Sequence, residues 1–143
     1  PVREKLRLNF EDLVKYKPDL IYASLTAYGE DGPEASKTGF DSTALWARSG
    51  LMDMIKTSPE SAPARSAPGM GDHPTGTALF ASIAMALYQR ERTGEGSYVS
   101  SSLMANGAWW NSFYVRCLRR RSRRKLYRIG AFAHIRFCQA LPS

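Results

Sequence analysis

Residues 13–32 read LVKYKPDLIYASLTAYGEDG, and this stretch decides the fold class. A short helix opened by Asn9 ends at Pro18, because proline cannot continue a helix, and Leu20–Thr26 follows as a nearly uninterrupted apolar strand. Such a strand is typical of a parallel sheet that is covered on both faces. The glycines and proline of residues 27–33 make a loop, at the sheet edge where open α/β folds bind ligands. The stretch therefore predicts one repeat of an α/β fold.

The remaining sequence predicts further helices and a second strand. The prolines of residues 56–71 indicate a surface loop, and the longest helix, over Thr75–Arg92, places apolar residues on one face. The helices are expected over Asp41–Met54, Thr75–Arg92 and Leu103–Val115, the strand over Ser97–Ser101, and the apolar face of the longest helix at Leu79, Ile83, Ala86 and Leu87.

The positive charge of the chain is concentrated near its end. Residues 116–143 carry nine Arg and Lys residues and no Asp or Glu, and without them 11 basic residues stand against 13 acidic ones. An Arg-rich tail of this kind is consistent with a solvated or disordered segment, or with sequence outside the native reading frame. Nucleic-acid binding by the tail is the disfavoured hypothesis, because residues 1–115 are net acidic and contain no nucleic-acid motif.

Composition excludes other classes of protein. No apolar run approaches the roughly 18 residues of a membrane span. Cys117 and Cys138 form neither a zinc-binding pattern nor a disulfide framework, so we expect no metal site. Without a secretory signal, reduced thiols and a cytoplasmic location are the expectation.

The segment from Gly69 to Gly76, GMGDHPTG, places Asp72 between glycines and the start of a helix. Glycine lets a ligand approach the backbone closely, and the positive end of the helix favours an ionised carboxylate. A positioned carboxylate is a nucleophile toward activated acyl groups. The commoner role of Asp72 or His73 at such a position is to cap the helix, and both alternatives stay open on the local sequence.

Several stretches together resemble a known family. They are residues 13–32, the triplet Gly39-Phe40-Asp41, the segment 49–52 (SGLM), the segment 71–76 (GDHPTG) and residues 84–96 (AMALYQRERTGEG). In this order and spacing, residues 1–115 resemble the middle of the large domain of a family III CoA-transferase, the group that also contains α-methylacyl-CoA racemases. The resemblance implies an incomplete Rossmann-like parallel-sheet domain over residues 1–115, followed by an unrelated tail over residues 116–143.

The resemblance also implies a mechanism. The catalytic aspartate of the family falls on Asp72, which would transfer coenzyme A between carboxylic acids through a covalent aspartyl intermediate. The alternative is racemisation at the acyl α-carbon, for which the racemase branch carries histidine in a Gly-His-Asp motif. Phe40 occupies that position here and cannot carry a proton, so transfer is preferred. As an ordinary residue, Phe40 would be a core or pocket-wall aromatic.

Further site residues follow from the same resemblance. Lys5 corresponds to a basic residue that contacts CoA phosphates, with a solvated surface lysine as the ordinary alternative. Tyr28 and Asp41 lie where the family lines its acyl pocket, with turn packing and helix capping as their ordinary roles. Phe40 is grouped with them among the substrate-binding residues. The implied substrates are an acyl-CoA thioester and a carboxylic acid, with no permanently bound cofactor. The full-length protein is expected to form an interlocked homodimer.

Overall fold

The computed structural model describes residues 2–114 and 116, which form short helices, two strands and one long helix. The elements in chain order are α1 (Val2–Leu6), α2 (Phe10–Leu13), β1 (Ile21–Thr26), a π-helix (Asp41–Ala47), α3 (Leu51–Met54), α4 (Asp72–Thr93), β2 (Ser97–Ser102) and α5 (Leu103–Trp110). The Arg-rich tail beyond residue 116 and both cysteines lie outside the described residues. In the part of the chain that is described, no helix combines the length and apolar character needed to cross a bilayer.

The two strands form a parallel pair, in register from Ile21 opposite Ser97 to Thr26 opposite Ser102. Parallel neighbours need a long crossover connection, and residues 27–96 supply it. The prediction of an α/β fold is therefore confirmed.

Helix α4 runs back along the sheet, antiparallel to the strands. Near its last turn, the Arg90 guanidinium donates a hydrogen bond to the backbone oxygen of Asp19 at 3.4 Å. Gly96, in the turn after α4, touches the chain just before β1, where a Cβ at Gly96 would lie 2.3 Å from the Leu20 oxygen. Because the last turn of α4 meets the start of β1, its first residue, Asp72, lies toward the carboxyl ends of the strands.

The buried apolar core lies between the π-helix, α3 and α5, with Ala27 and Tyr28 of the loop after β1 packed against it. Gly107 brings α5 close to the π-helix, because a Cβ there would lie 2.8 Å from the Leu45 oxygen. The core therefore fixes the π-helix whose first residue is Asp41. Its buried members are Ala44, Leu45, Trp46, Leu51 and Leu103.

The predicted helix boundaries need four corrections. The short helix expected to run from Asn9 to Pro18 ends at Leu13. The single helix expected over Asp41–Met54 is wrong, because the chain breaks at Gly50, whose φ of 88° belongs to the left-handed region. Helix α4 begins at Asp72 rather than Thr75. Helix α5 ends at Trp110 with a turn at Asn111, whose side-chain amide donates to the Ser49 oxygen, and residues 112–114 are helical again.

Two expectations about burial are also wrong. The described residues do not cover strand β1 on both faces, because Ser24 is its only buried residue whereas Ala23 and Leu25 on the opposite face are exposed. On α4, Ala86 is buried but Leu87 is 41% exposed, because the helix face that packs on the strands contains Ala86 and Arg90 and does not contain Leu87.

Candidate active site around Asp72

Asp72 is the first residue of α4 and is exposed, directly after the buried Gly71. Gly71 occupies the N-cap position, and no side chain donates or accepts a capping hydrogen bond there. The interpretation of Asp72 or His73 as a helix cap is therefore wrong. With the other described residues, the Asp72 carboxylate makes neither a hydrogen bond nor an ion pair.

The backbone around Asp72 is fixed by the first turn of α4. The Thr75 side chain is completely buried, and its hydroxyl donates to the Gly71 oxygen at 2.7 Å. The His73 N–H donates to the Gly69 oxygen at 3.0 Å. The His73 ring also covers Gly69, since a Cβ at that glycine would lie 3.0 Å from Nε2. An exposed carboxylate thus stands on an immobilised stretch of backbone.

Asp41 joins the start of the π-helix to this turn. Its Oδ2 accepts the Gly69 N–H at 2.8 Å, and its Oδ1 accepts the N–H of Ser42 at 2.6 Å. A Cβ at Gly71 would lie 2.8 Å from the Asp41 Cβ, so the two residues are in direct contact. Residues 28 and more positions apart in sequence are brought together here.

Tyr28 and Phe40 extend the same group of residues. The Tyr28 ring packs on Gly39, where a Cβ would lie 2.9 Å from Cε2 of the ring. Phe40 follows, with its N–H bound to the Thr43 hydroxyl at 2.8 Å. Its side chain is 75% exposed, so the interpretation of Phe40 as a core aromatic is wrong.

Lys5 stands apart from these residues. It is exposed on α1 and makes no hydrogen bond or ion pair with another described residue. The structure links four of the five residues predicted for the site. Tyr28 packs on Gly39, which precedes Phe40 and Asp41, and Asp41 contacts Gly71, which precedes Asp72. No contact between described residues links Lys5 to them.

A polar cluster that the sequence did not indicate joins α1 to the sheet. We call it the Arg3 cluster; its members are Arg3, Phe10, Tyr22, Ser24, Glu30 and Tyr98. The Arg3 guanidinium donates to the Ser24 hydroxyl at 3.0 Å and pairs with Glu30 at 3.4 Å. The Ser24 and Tyr98 hydroxyls both donate to the Glu30 carboxylate. The two tyrosine rings stack at 5.2 Å, and Phe10 meets both edge to face.

The Arg3 cluster shifts the acidity of its members. Burial acts to raise the pKa of Glu30, but the hydrogen bonds from Ser24, Tyr98 and Arg3 outweigh it and lower that pKa. Burial, together with the hydrogen bond to Glu30, raises the pKa of Tyr98. Glu30 is therefore held as a carboxylate by groups of the protein itself.

Within residues 2–114 and 116, no group of three or more His, Cys, Asp or Glu side chains is placed to hold a metal ion. An open cavity of about 660 Å³ lies between α4 and β2, lined among others by Met85, Tyr88 and Tyr98. Its lining contains none of the predicted site residues.

The arrangement around Asp72 suits attack by a carboxylate on an acyl group. A nucleophilic carboxylate must be accessible to the acyl group, and the Asp72 carboxylate is exposed and has no bond to another described residue. The neighbouring carboxylate of Asp41 is engaged with backbone N–H groups on both oxygens. Geometry thus distinguishes Asp72 from Asp41 as the acidic group able to react.

Sequence patterns could have revealed only part of this. Tyr22 and Ser24 alternate on one face of β1, which is a signal that this face is polar and needs partners. Arg3 and Glu30 lie 27 positions apart and carry no local signal of their pairing. The same holds for the bond between Asp41 and Gly69.

Comparison with known proteins assigns the chain to a family. The model of CoA-transferase family III matches residues 1–132, past the predicted domain boundary at residue 115, which stays a prediction. The chain is 41% identical over 100 residues to cinnamoyl-CoA:phenyllactate CoA-transferase of Clostridium sporogenes, covering 70% of this chain and 24% of that protein. It is 38% identical over 103 residues to succinyl-CoA:glutarate CoA-transferase of Mus musculus, covering 71% of this chain and 23% of that protein.

A solved structure agrees with this. The crystal structure of a hypothetical protein from Mycobacterium tuberculosis superposes with a TM-score of 0.73 at 31% identity, over 80% of this chain and 32% of that one. The chain spans about a quarter of the length of the curated relatives described above. Because the family model covers most of the sequence, the chain belongs to CoA-transferase family III.

Proposed function

We propose that the full-length protein containing this chain transfers coenzyme A between carboxylic acids through a covalent intermediate on Asp72. The observation that carries the proposal is the state of the Asp72 carboxylate, which is exposed at the start of α4 and has no partner among the described residues. Relatives of the chain are named as CoA-transferases acting on several different acids, which supports the reaction class.

The reaction begins on an acyl-CoA. An Asp72 carboxylate oxygen attacks the thioester carbonyl, the carbon–sulfur bond breaks, and CoA thiolate leaves a mixed anhydride. The thiolate then attacks the aspartyl carbonyl of the anhydride, which releases the donor acid as a carboxylate and leaves an aspartyl-CoA thioester. Because anhydride and thioester are similarly activated, each step is reversible.

The second half repeats these steps in reverse. The acceptor carboxylate attacks the aspartyl thioester and displaces CoA thiolate, forming a second mixed anhydride. The thiolate attacks the carbonyl of the acceptor in this anhydride, so acyl-CoA product leaves and the Asp72 carboxylate is regenerated. No proton is gained or lost overall, and this is compatible with a site in which the exposed carboxylate has no neighbouring general base among its contacts.

The other predicted residues take supporting roles in the proposal. Tyr28 and Phe40 line the acyl pocket, which fits the packing of Tyr28 on Gly39 and the exposure of Phe40. Lys5 contacts the phosphates of coenzyme A, and its exposed amino group is free of ion pairs with described residues. Asp41, which the resemblance placed at the pocket wall, contacts the backbone at Gly69 and Gly71 beside Asp72.

The proposal extends to the whole protein as a Rossmann-like domain within a homodimer. Each strand of the sheet pairs with a single described neighbour, and α4 exposes Phe80, at 70%, and Met85, at 67%. Unpaired edges and apolar side chains of this size need a cover, which the remaining polypeptide and a second subunit would provide. The cytoplasmic location stays a prediction of the sequence.

Intact mass measurement after incubation with a panel of acyl-CoAs tests the function. The full-length protein and its Asp72→Ala variant are treated with hydroxylamine and mapped as peptides. A trapped adduct on the Asp72 peptide that is absent in the variant supports the proposal and identifies the donor.

Two other results would reject it. Deuterium wash-in at the acyl α-carbon without an adduct would indicate the racemase alternative and would show that the argument from Phe40 is wrong. With neither an adduct nor wash-in, Asp72 is not a nucleophile.

A further inference from the structure

We infer that Asp41 is a positioning residue, whose carboxylate holds the turn from Gly69 to Asp72 in the place where the Asp72 carboxylate meets the acyl group. The inference rests on the proposed function of Asp72 and gives Asp41 a role different from contact with the substrate. It is carried by the hydrogen bonds of Asp41 and by its packing against Gly71.

Both carboxylate oxygens of Asp41 are engaged by backbone N–H groups. Oδ1 accepts from Ser42 at 2.6 Å, within its own π-helix, and Oδ2 accepts from Gly69 at 2.8 Å, across 28 positions of sequence. Hydrogen bonds to an ionised acceptor are short and about twice as strong as neutral ones. Each Asp41 oxygen thus carries one backbone hydrogen bond, so the carboxylate is suited to holding the backbone of the turn.

The Asp41 backbone restrains the same turn from a second direction. A Cβ at Gly71 would lie 2.8 Å from the Asp41 Cβ and 3.1 Å from its Cα, and 3.0 Å from the Cβ of Leu45. Leu45 is completely buried in the core. Gly71 is therefore pressed against a fixed surface, and it is the residue immediately before Asp72.

Both restraints act on the short turn from Gly69 to Gly71. Gly69, held by Asp41, has a φ of 76°, and the Gly71 oxygen, bound by the buried Thr75 hydroxyl, fixes the other end. Only one residue, Met70, separates the two glycines. Loss of the Asp41 carboxylate would release the first end of this turn, and a displacement of about 1 Å at a reacting group costs on the order of 100-fold in rate.

The test uses the full-length protein and the variants Asp41→Ala and Asp41→Asn. Three quantities are measured: the single-turnover rate of the hydroxylamine-trapped Asp72 adduct, the KM for the acyl-CoA that labels wild type, and the thermal midpoint. We expect Asp41→Ala to slow adduct formation by about 10- to 100-fold with a KM change below about 3-fold. Asp41→Asn keeps an oxygen that accepts the Gly69 N–H, so it should recover most of the rate.

A matched control is Asp53→Ala. Asp53 is an exposed carboxylate on α3 that pairs with Lys56 at 2.9 Å and has no contact with the Gly69–Asp72 turn among the described residues. Its removal should leave adduct formation within about 2-fold of wild type, as for surface substitutions generally. A loss equal to that of Asp41→Ala would overturn the inference.

Other outcomes are equally decisive. An unchanged adduct rate in Asp41→Ala refutes positioning, as does a raised KM with an unchanged rate, which would make Asp41 a substrate contact. If Asp41→Ala does not fold, Asp41→Glu keeps the charge but moves the acceptor oxygens; a slowed rate there supports the inference and a wild-type rate refutes it. A wild-type protein without any Asp72 adduct refutes the proposed function itself, whereas an adduct with unaffected Asp41 variants refutes this inference alone.

Discussion

Glu30 lies in the loop after β1 and Asp72 begins α4, and the surroundings of these two carboxylates differ completely. The Glu30 carboxylate accepts hydrogen bonds from Ser24, Tyr98 and Arg3, and only 24% of its side chain is exposed. Asp72 is exposed at the start of α4, with no described group bound to its carboxylate. The Glu30 carboxylate is engaged by other groups of the protein, whereas the Asp72 carboxylate is accessible to a substrate.

The Asp41 carboxylate is engaged in hydrogen bonds like that of Glu30, but it lies beside the turn that carries Asp72. Its partners are backbone N–H groups, one of which belongs to the turn that carries Asp72. A partnered carboxylate can therefore serve an unpartnered one by fixing the backbone on which it stands. The comparison predicts that substitutions at Glu30 change stability, substitutions at Asp72 change reactivity, and substitutions along the turn change both.

The largest expected effect is at Asp72. In the full-length protein, Asp72→Ala should lower the steady-state rate of CoA transfer by on the order of 10³-fold or more, because loss of the proposed covalent nucleophile would remove the whole pathway. Its free energy of unfolding should change by less than about 1 kcal/mol, the value of a carboxylate in the first turn of a helix. Transfer assays and urea denaturation measure the two quantities.

Glu30→Gln is the reciprocal variant. It should leave the transfer rate within a few-fold of wild type and lower the free energy of unfolding by about 1–2 kcal/mol, because hydrogen bonds to a charged group are replaced by neutral ones. If Asp72→Ala proved destabilising and Glu30→Gln inactive, the contrast between the two carboxylates would be wrong.

A smaller effect is expected at the glycine before Asp72. In Gly71→Ala, the new methyl group meets Asp41 at 2.8 Å and Leu45 at 3.0 Å, so the turn must move. We expect transfer to fall by about 10- to 100-fold and the free energy of unfolding to fall by about 1–3 kcal/mol. Both follow from the same displacement.

Gly76 provides the matched control on the same helix. No described atom lies within 4 Å of the position that a Cβ would take there, and alanine is the better helix former. Gly76→Ala should keep full activity and gain up to about 1 kcal/mol in unfolding free energy. Equal losses in Gly71→Ala and Gly76→Ala would show that backbone stiffness, and not contact with Asp41, governs the site.

Local patterns in the sequence predicted the elements that depend on local chemistry. The apolar run before Thr26 gave β1, and the order of helix, strand and loop gave the α/β class. Asp72 was singled out because glycines and a helix start surround it, and these are features of neighbouring residues. The boundaries failed where the backbone leaves helical geometry, as at Gly50, whose φ of 88° breaks the helix predicted over Asp41–Met54.

The sequence could not predict relations between distant segments. Nothing near Asp41 indicates that its carboxylate binds Gly69, because the contact exists only after the core has placed the π-helix against the turn. The same applies to Arg3 and Glu30. The resemblance favoured Lys5 as a site residue, whereas in the structure Arg3, on the same short helix, contacts the sheet. Which side chain reaches the sheet depends on which side of α1 faces β1.

The smallest expected effect concerns pH and isolates the partnered carboxylate. Because the pKa of Glu30 is lowered from its ordinary value of 4.5, its contribution to stability is present above about pH 4.5 and is lost as pH falls through the lowered value. Urea unfolding of the full-length protein between pH 7 and pH 3 should therefore show wild type and Glu30→Gln converging as pH falls. Glu60→Gln, at an exposed glutamate, is the control and should parallel wild type throughout.

Stability at alkaline pH tests the same hydrogen bonding, through the bond from Tyr98 to Glu30. Burial and the bond to Glu30 raise the pKa of Tyr98 above its ordinary value of 10.0, so the contribution of Tyr98 is present below about pH 10 and is lost as pH rises through the raised value. Removing the Glu30 charge in Glu30→Gln should reduce this alkaline loss as well. Wild-type and Glu30→Gln stabilities that stay a constant distance apart at every pH would show that Glu30 is not held by its partners, and the contrast with Asp72 would then lose its structural basis.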